Sequence, residues 1–168
     1  MLKRKTENLL TSCINENKEN IYRLAYSYVK NKEDALDIVQ ESIYKAMMNI
    51  EVLKNPDAIK SWFYRIVVNT ALDFLRMNKK VYSMDHEMIE NYSSGIEDVY
   101  TNIDLKRTLQ DLPVKYRSVI VLRYFEDMKI DEVAAVLNEN VNTIKTRLYQ
   151  ALLLLRVKMN DEPSKEIK

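Results

Sequence analysis

Between Asn142 and Gln150 the sequence places groups that can read DNA on one helical face. Asn142, Lys145, Thr146, Tyr149 and Gln150 recur at steps of three, four, seven and eight, and Arg147 flanks them. Amides, a hydroxyl, cations and an aromatic are the groups that hydrogen-bond base edges and phosphates. No Asp or Glu occurs from Val141 to Asn160. Solvated helix faces usually mix Glu with Lys. A carboxylate here would repel the phosphate backbone, so its absence favours DNA contact over ordinary solvation.

Two further constellations lie in the first half. Asp37, Gln40 and Glu41 cluster on one face at i, i+3, i+4, and Arg65, Asn69, Asp73 and Arg76 form a polar stripe across an otherwise apolar segment. Taken alone, the first could be a solubility face and the second an Asp73–Arg76 ion pair. Catalytic chemistry finds little support. His86 is the only histidine and Cys13 the only thiol, and no phosphate-cradling glycine loop or metal-ligand cluster is present. The expectation is a non-enzyme without cofactor or metal.

The elements that must position these groups are helices. No stretch sustains period-two alternation, so no sheet is expected. Helices are expected near Thr6–Asn15, over Lys18–Val29, and from about Asp34 to Ile50 with Ala35, Val39, Ile43, Ala46 and Ile50 as its core stripe. Pro56 opens a short helix. A long helix follows from Ser61 to about Asn78, with Phe63, Ile66, Val67, Thr70 and Phe74 inward. In the last third Pro113 separates one helix from Val114–Phe125. Lys129–Arg156 then has the parts of a helix-turn-helix: a short helix carrying Ile130, Val133, Ala134 and Leu137, a tight connection over Asn138–Val141, and a second helix from about Asn142 to Met159. Its expected buried stripe is Ile144, Leu148, Leu152 and Leu155. Asn138 stands where such turns often carry glycine, and Asn tolerates positive φ.

The charge of +1 over 168 residues conceals a pattern. Residues 1–80 hold 14 Lys/Arg against 10 Asp/Glu, residues 81–104 hold 6 Asp/Glu and no Lys/Arg, and residues 105–168 hold 12 against 9. Bulk charge therefore carries no nucleic-acid argument; local faces must. The acidic stretch holds the only glycine, Gly95, and reads as a flexible linker between two small helical domains, 6–80 and 105–159, with a frayed charged tail over 160–168. No apolar run approaches the ~20 residues of a membrane span, no secretory leader is recognisable, and one cysteine forms no internal disulfide. Cytoplasmic residence is the default.

The run Asp34-Ala35-Leu36-Asp37-Ile38-Val39-Gln40-Glu41-Ser42, with Ser61-Trp62-Phe63-Tyr64-Arg65-Ile66-Val67-Val68-Asn69-Thr70-Ala71-Leu72-Asp73-Phe74-Leu75-Arg76 after it, resembles region 2 of the sigma-70 family of transcription factors. Leu112-Pro113-Val114-Lys115-Tyr116-Arg117, Leu122-Arg123-Tyr124-Phe125 and the Lys129–Arg156 unit resemble region 4. Order and spacing agree over roughly Tyr22 to Lys158. The short length, with regions 2 and 4 only, resembles the extracytoplasmic-function (ECF) group, and within it the sigma-V branch.

That resemblance implies an all-α protein that binds core RNA polymerase and directs promoter recognition and transcription initiation, in an envelope-stress response. It implies that Asp37, Gln40 and Glu41 grip the β′ clamp, where exposed carboxylates take charge-assisted hydrogen bonds from a basic helix. It assigns Lys54, Asn55, Lys60, Trp62, Arg65, Asn69, Asp73 and Arg76 to the −10 element. Phe63 is expected in the core and Trp62 partly so. It assigns Asn142, Thr143, Lys145, Thr146, Arg147, Tyr149 and Gln150 to the −35 element. Gln150 departs from the family pattern, in which arginine is common; Gln favours adenine edges where Arg favours guanine. Further implied partners are the β flap and a membrane-anchored anti-sigma factor, with no membrane insertion by the chain itself. The competing reading is a free-standing helix-turn-helix regulator with an N-terminal sensor bundle, which would need neither the Asp37–Glu41 face nor the Trp62–Arg76 stripe.

Overall fold

The computed structural model describes residues 1–82 and 103–161. The described residues form α1 (Leu2–Glu16), α2 (Lys18–Val29), α3 (Lys32–Met48), α4 (Ile59–Tyr82), α5 (Ile103–Asp111), α6 (Val114–Ile120), α7 (Ile130–Leu137) and α8 (Val141–Asp161), and no strand occurs among them. Short 3₁₀ turns cover Ile50–Val52 and Pro56–Ala58, and a π-helical turn over Val121–Phe125 extends α6. Most of the segment read as a linker lies outside the described residues. At its edges α4 runs on through Tyr82 and α5 starts at Ile103.

Local chemistry accounts for the boundaries. Asn31 caps α3 by accepting from the Asp34 N–H at 3.0 Å, and Glu33 and Asp34 complement the helix dipole. Lys30 ends α2 in the left-handed region at φ 57. Asn138 ends α7 the same way at φ 54, in keeping with its expected role in the turn. Glu132 reaches back to accept from the Lys129 N–H at 2.8 Å, which fixes the start of α7.

The buried stripes differ in phase from expectation at two places. On α3 the buried residues are Ala35, Ile38, Ser42 and Ala46, while Val39 and Ile43 are half-buried. Small side chains let α2 and α4 approach closely. Ser42 can be buried because its hydroxyl donates to the Ile38 carbonyl at 2.6 Å. On α8 the buried residues are Ile144 and Ala151; Leu148 and Leu155 are half-buried, and Leu152, Leu153 and Leu154 are exposed. Ala151 packs with Leu109, Leu112 and Ile120 of α5 and α6, and Leu155 packs on that cluster, so Leu152, Leu153 and Leu154 are surface, not core as expected.

The long helix α4 is buried on two sides. Phe63, Val67 and Thr70 are buried as expected, with Ile66 and Phe74 half-buried, and Tyr64, Val68 and Ala71 are buried as well. The extra side faces α7. One continuous core joins Leu24, Ile38, Phe63 and Val67 of the N-terminal block to Val119, Leu122, Val133, Val136 and Ile144 of the C-terminal block. The two blocks are thus packed against each other.

Polar groups mark this seam. The Tyr64 hydroxyl donates to Glu126 Oε2 at 3.0 Å in a buried setting, and Glu126 Oε1 has no hydrogen-bond partner among the described residues. Burial pushes the Glu126 carboxyl above its ordinary range, against the opposing pull of the Tyr64 hydrogen bond, Arg23 and Lys60. The π-helical turn, closed by Glu126 N–H to Val121 carbonyl at 3.0 Å, aims Glu126 inward. Elsewhere along the seam Arg117, 4% exposed, donates to the carbonyls of Gln110 at 2.8 Å and Leu112 at 3.0 Å. Lys30 of α2 donates to the same Gln110 carbonyl. Tyr28, buried against Ser118 and Arg117, has its phenol pushed up to about 12 by burial. Beneath the seam Cys13 is buried, with Asn17 Nδ2 3.9 Å from its sulfur.

Candidate polymerase and nucleic-acid interfaces

The face of α8 begins one residue earlier than expected, at Val141, because Asn140 caps it: its Oδ1 accepts from the Thr143 N–H at 2.8 Å. Asn142, Lys145, Thr146, Tyr149 and Gln150 are exposed, and Thr143 and Arg147 are half-buried. The expected face is therefore brought together on one surface. Its side chains are not all free, however. Thr146 returns its hydroxyl to the Asn142 carbonyl at 3.0 Å. Arg147 donates to Glu139 at 2.9 Å, so an acid from the preceding turn does stand against the acid-free helix. Gln150 accepts from the Tyr116 hydroxyl of α6 at 3.1 Å. Tyr116, Glu139 and Asn140 were not among the expected residues. Glu139 and Asn140 lie in the turn that the spacing identified; Tyr116 is 34 positions from its partner and carries no local signal.

The residues assigned to the −10 element separate into two groups. Lys54, Trp62, Arg65 and Asn69 line one open groove of about 600 Å³ beside Leu53, Ser61 and Ile66. Ala135 of α7 forms part of its wall. Trp62 is half-buried and Phe63 fully buried, as expected. Asn55, Lys60, Asp73 and Arg76 do not line the groove. Asn55 caps the 3₁₀ turn through the Asp57 N–H at 3.1 Å. Lys60 sits with its ammonium 5.7 Å from the Tyr64 ring centre, over the seam. Asp73 and Arg76 pair at 3.2 Å in the open, an arrangement of small energetic weight.

Asp37, Gln40 and Glu41 are exposed together on α3. Glu41 pairs with Lys45 at 3.1 Å, and Lys45 also reaches Thr70 at 3.3 Å. Leu36, Tyr44, Met47 and Met48 are exposed on the same helix. The surface is thus acidic and apolar at once, which suits a partner helix carrying both basic and apolar side chains. A second groove of about 970 Å³ runs between the blocks, walled by Tyr22, Tyr26, Val39, Leu109 and Phe125. Among the described residues no group of His, Cys, Asp and Glu could hold a metal ion, and no helix is long and apolar enough to cross a membrane.

Comparison with known proteins matches this geometry to one kind of molecule. Residues 13–81 match the family described as Sigma-70 region 2, and residues 103–155 match Sigma-70, region 4. The chain is similar to the RNA polymerase sigma factor SigV of Bacillus subtilis (strain 168), with 54% identity over 95% of this chain and 96% of that protein. It is also similar to the ECF RNA polymerase sigma factor SigW of the same organism, with 33% identity over 86% of this chain and 85% of that one. In fold it is similar to the sigma factor RpoE solved in complex with the anti-sigma factor NepR from Bartonella quintana, at a TM-score of 0.73, 22% identity and coverage of 96% and 98%. CnrH, solved in complex with the cytosolic domain of CnrY, has a TM-score of 0.70, 20% identity and coverage of 96% of each chain.

Proposed function

Because the chain belongs to the extracytoplasmic-function group of the sigma-70 family, we propose that it works as a two-contact promoter reader, with roles for its residues as follows. It binds core RNA polymerase and directs promoter recognition and transcription initiation, and as a sigma factor it is not an enzyme. Asp37, Gln40 and Glu41 hold the β′ clamp. Lys54, Trp62, Arg65 and Asn69 receive the −10 element in their shared groove, where stacking of an opened base on the Trp62 ring would contribute ~1–3 kcal/mol. Asn55, Lys60, Asp73 and Arg76, which do not line the groove, complete the set assigned to the −10 element. Asn142, Thr143, Lys145, Thr146, Arg147, Tyr149 and Gln150 read the −35 element in the major groove. The exposed Leu152, Leu153 and Leu154 supply an apolar surface for the β flap.

The single observation that carries this reading is the exposed α8 face on one block, joined in the same chain to the Lys54–Trp62–Arg65–Asn69 groove on the other. A sensor-regulator would need only the first. Run-off transcription with core polymerase on a randomised promoter library tests it: specific initiation is expected with core, and weak DNA binding without it. Tight, sequence-specific binding by the isolated chain would instead favour the free-standing regulator. Asp37→Arg should weaken core binding while the melting temperature holds; unchanged core affinity would remove the clamp role.

Control by an anti-sigma factor is supported by a solved sigma factor of similar fold, RpoE, captured with the anti-sigma factor NepR. For this chain the partner is taken to be membrane-anchored, the setting an envelope-stress response and the site of action the cytoplasm. Co-purification of the chain with a membrane fraction only when that partner is present would test the anchoring.

A further inference from the structure

Gln150 is the recognition-face residue whose base preference the sequence leaves most open, and its surroundings narrow it. The Tyr116 hydroxyl donates to Gln150 Oε1 at 3.1 Å. Tyr116 is itself fixed: its half-buried ring packs on the cluster of Leu109, Leu112, Ile120 and Ala151, and the Lys115 ammonium lies 4.8 Å from the ring centre. An amide reads adenine by using both ends, accepting from the N6 amino group and donating to N7. With its oxygen turned toward Tyr116, the amide presents its two N–H donors outward.

We propose that Tyr116 is a positioning residue that turns the Gln150 oxygen aside and biases the amide toward donating, favouring bases with acceptors on the major-groove edge, guanine or thymine, over adenine. This rests on the reading of α8 as the −35 helix. It replaces the adenine preference expected of a free Gln. Guanine offers O6 and N7 and thymine offers O4, all acceptors, whereas adenine offers one acceptor beside a donor, for which Gln150 Oε1 keeps only the lone pair not taken by Tyr116.

The test uses the full chain with core polymerase and a library randomised across the upstream element. The position read by Gln150 is the one whose preference Gln150→Ala abolishes; there the unaltered chain is expected to favour guanine or thymine. Tyr116→Phe keeps the ring in its cluster and removes only the hydroxyl. It should raise the share of adenine at that position about 5-fold, corresponding to one recovered base hydrogen bond, and leave other positions unchanged. Gln150→Arg supplies a group with no acceptor, so its base preference should not respond to adding Tyr116→Phe. If Tyr116→Phe leaves the preference unaltered while Gln150→Ala removes it, the positioning role fails and the −35 reading stands. The role also fails if Tyr116→Phe shifts the Gln150→Arg profile equally, since the effect would then come from moving the helix. If Gln150→Ala changes no position, the −35 role of Gln150 fails, and the positioning role with it.

Discussion

The two blocks are built on different principles. The N-terminal block wraps α1 to α3 around α4 and supplies most of the buried residues of the core that the blocks share, Leu24, Ile38 and Phe63 among them. The C-terminal block keeps for itself only the small cluster of Leu109, Leu112, Ile120 and Ala151. It places Val119, Leu122, Val133, Val136 and Ile144 in the core shared with the first block. Hydrophobic stabilisation follows apolar area removed from water. The block that reads through α8 therefore draws much of its stability from its neighbour, and the block with the Trp62 groove does not depend on it to the same degree.

The sharpest way to break that contrast is Leu122→Ala, a truncation at a fully buried position of the shared core. It should cost ~2–5 kcal/mol, and amide exchange should rise in α6 to α8 while α2 and α3 stay protected. Equal loss of protection in both blocks would show that the asymmetry is false. Glu126→Gln probes the seam by charge. Burial raises the folded-state pKa of Glu126 above its unfolded value, so the folded chain holds the proton more tightly. Its contribution is greatest below the ordinary carboxylate range and is lost as pH rises toward the raised value. The variant should melt with a flatter pH dependence above the ordinary carboxylate range and be the more stable of the two at neutral pH; an unchanged slope would mean that Glu126 is hydrated in solution.

Smaller effects belong to the surface. Glu139→Gln frees Arg147 and should tighten upstream-element binding about 5-fold at low salt, near ~1 kcal/mol, with a steeper salt dependence. Unchanged affinity at every salt concentration would show that the Glu139–Arg147 contact does not restrain the reader. Asp73→Asn breaks an exposed ion pair and should move stability by less than ~0.5 kcal/mol. A larger fall would mean that the N-terminal block leans on its surface more than its core suggests.

Much of this arrangement was legible in the sequence, for reasons that also explain what was not. Pro56 and Asn138 are local signals with local causes, and the helices they bound fall where their spacing predicts. Phase was harder. The run Leu152–Leu155 offers a hydrophobic residue to every side of a helix, so periodicity could not reveal that small Ala151 is the one buried. On α3 the stripe through Val39 and Ile43 looked apolar enough, but close approach of helices selected Ile38 and Ser42. The candidate surfaces were legible because they are exposed runs on single helices. Tyr64–Glu126 and Tyr116–Gln150 were not, since their partners are 62 and 34 positions apart and only the fold joins them.

Cys13 gives the seam a practical use. It is the chain's only cysteine, it is buried, and burial holds its thiol above the ordinary range, in its protonated and unreactive form. A thiol-directed reagent can then label the protein at one atom, and only during moments when α1 lifts from Lys60 and Tyr64. The rate of labelling becomes a clock for that opening, read without introducing any foreign residue.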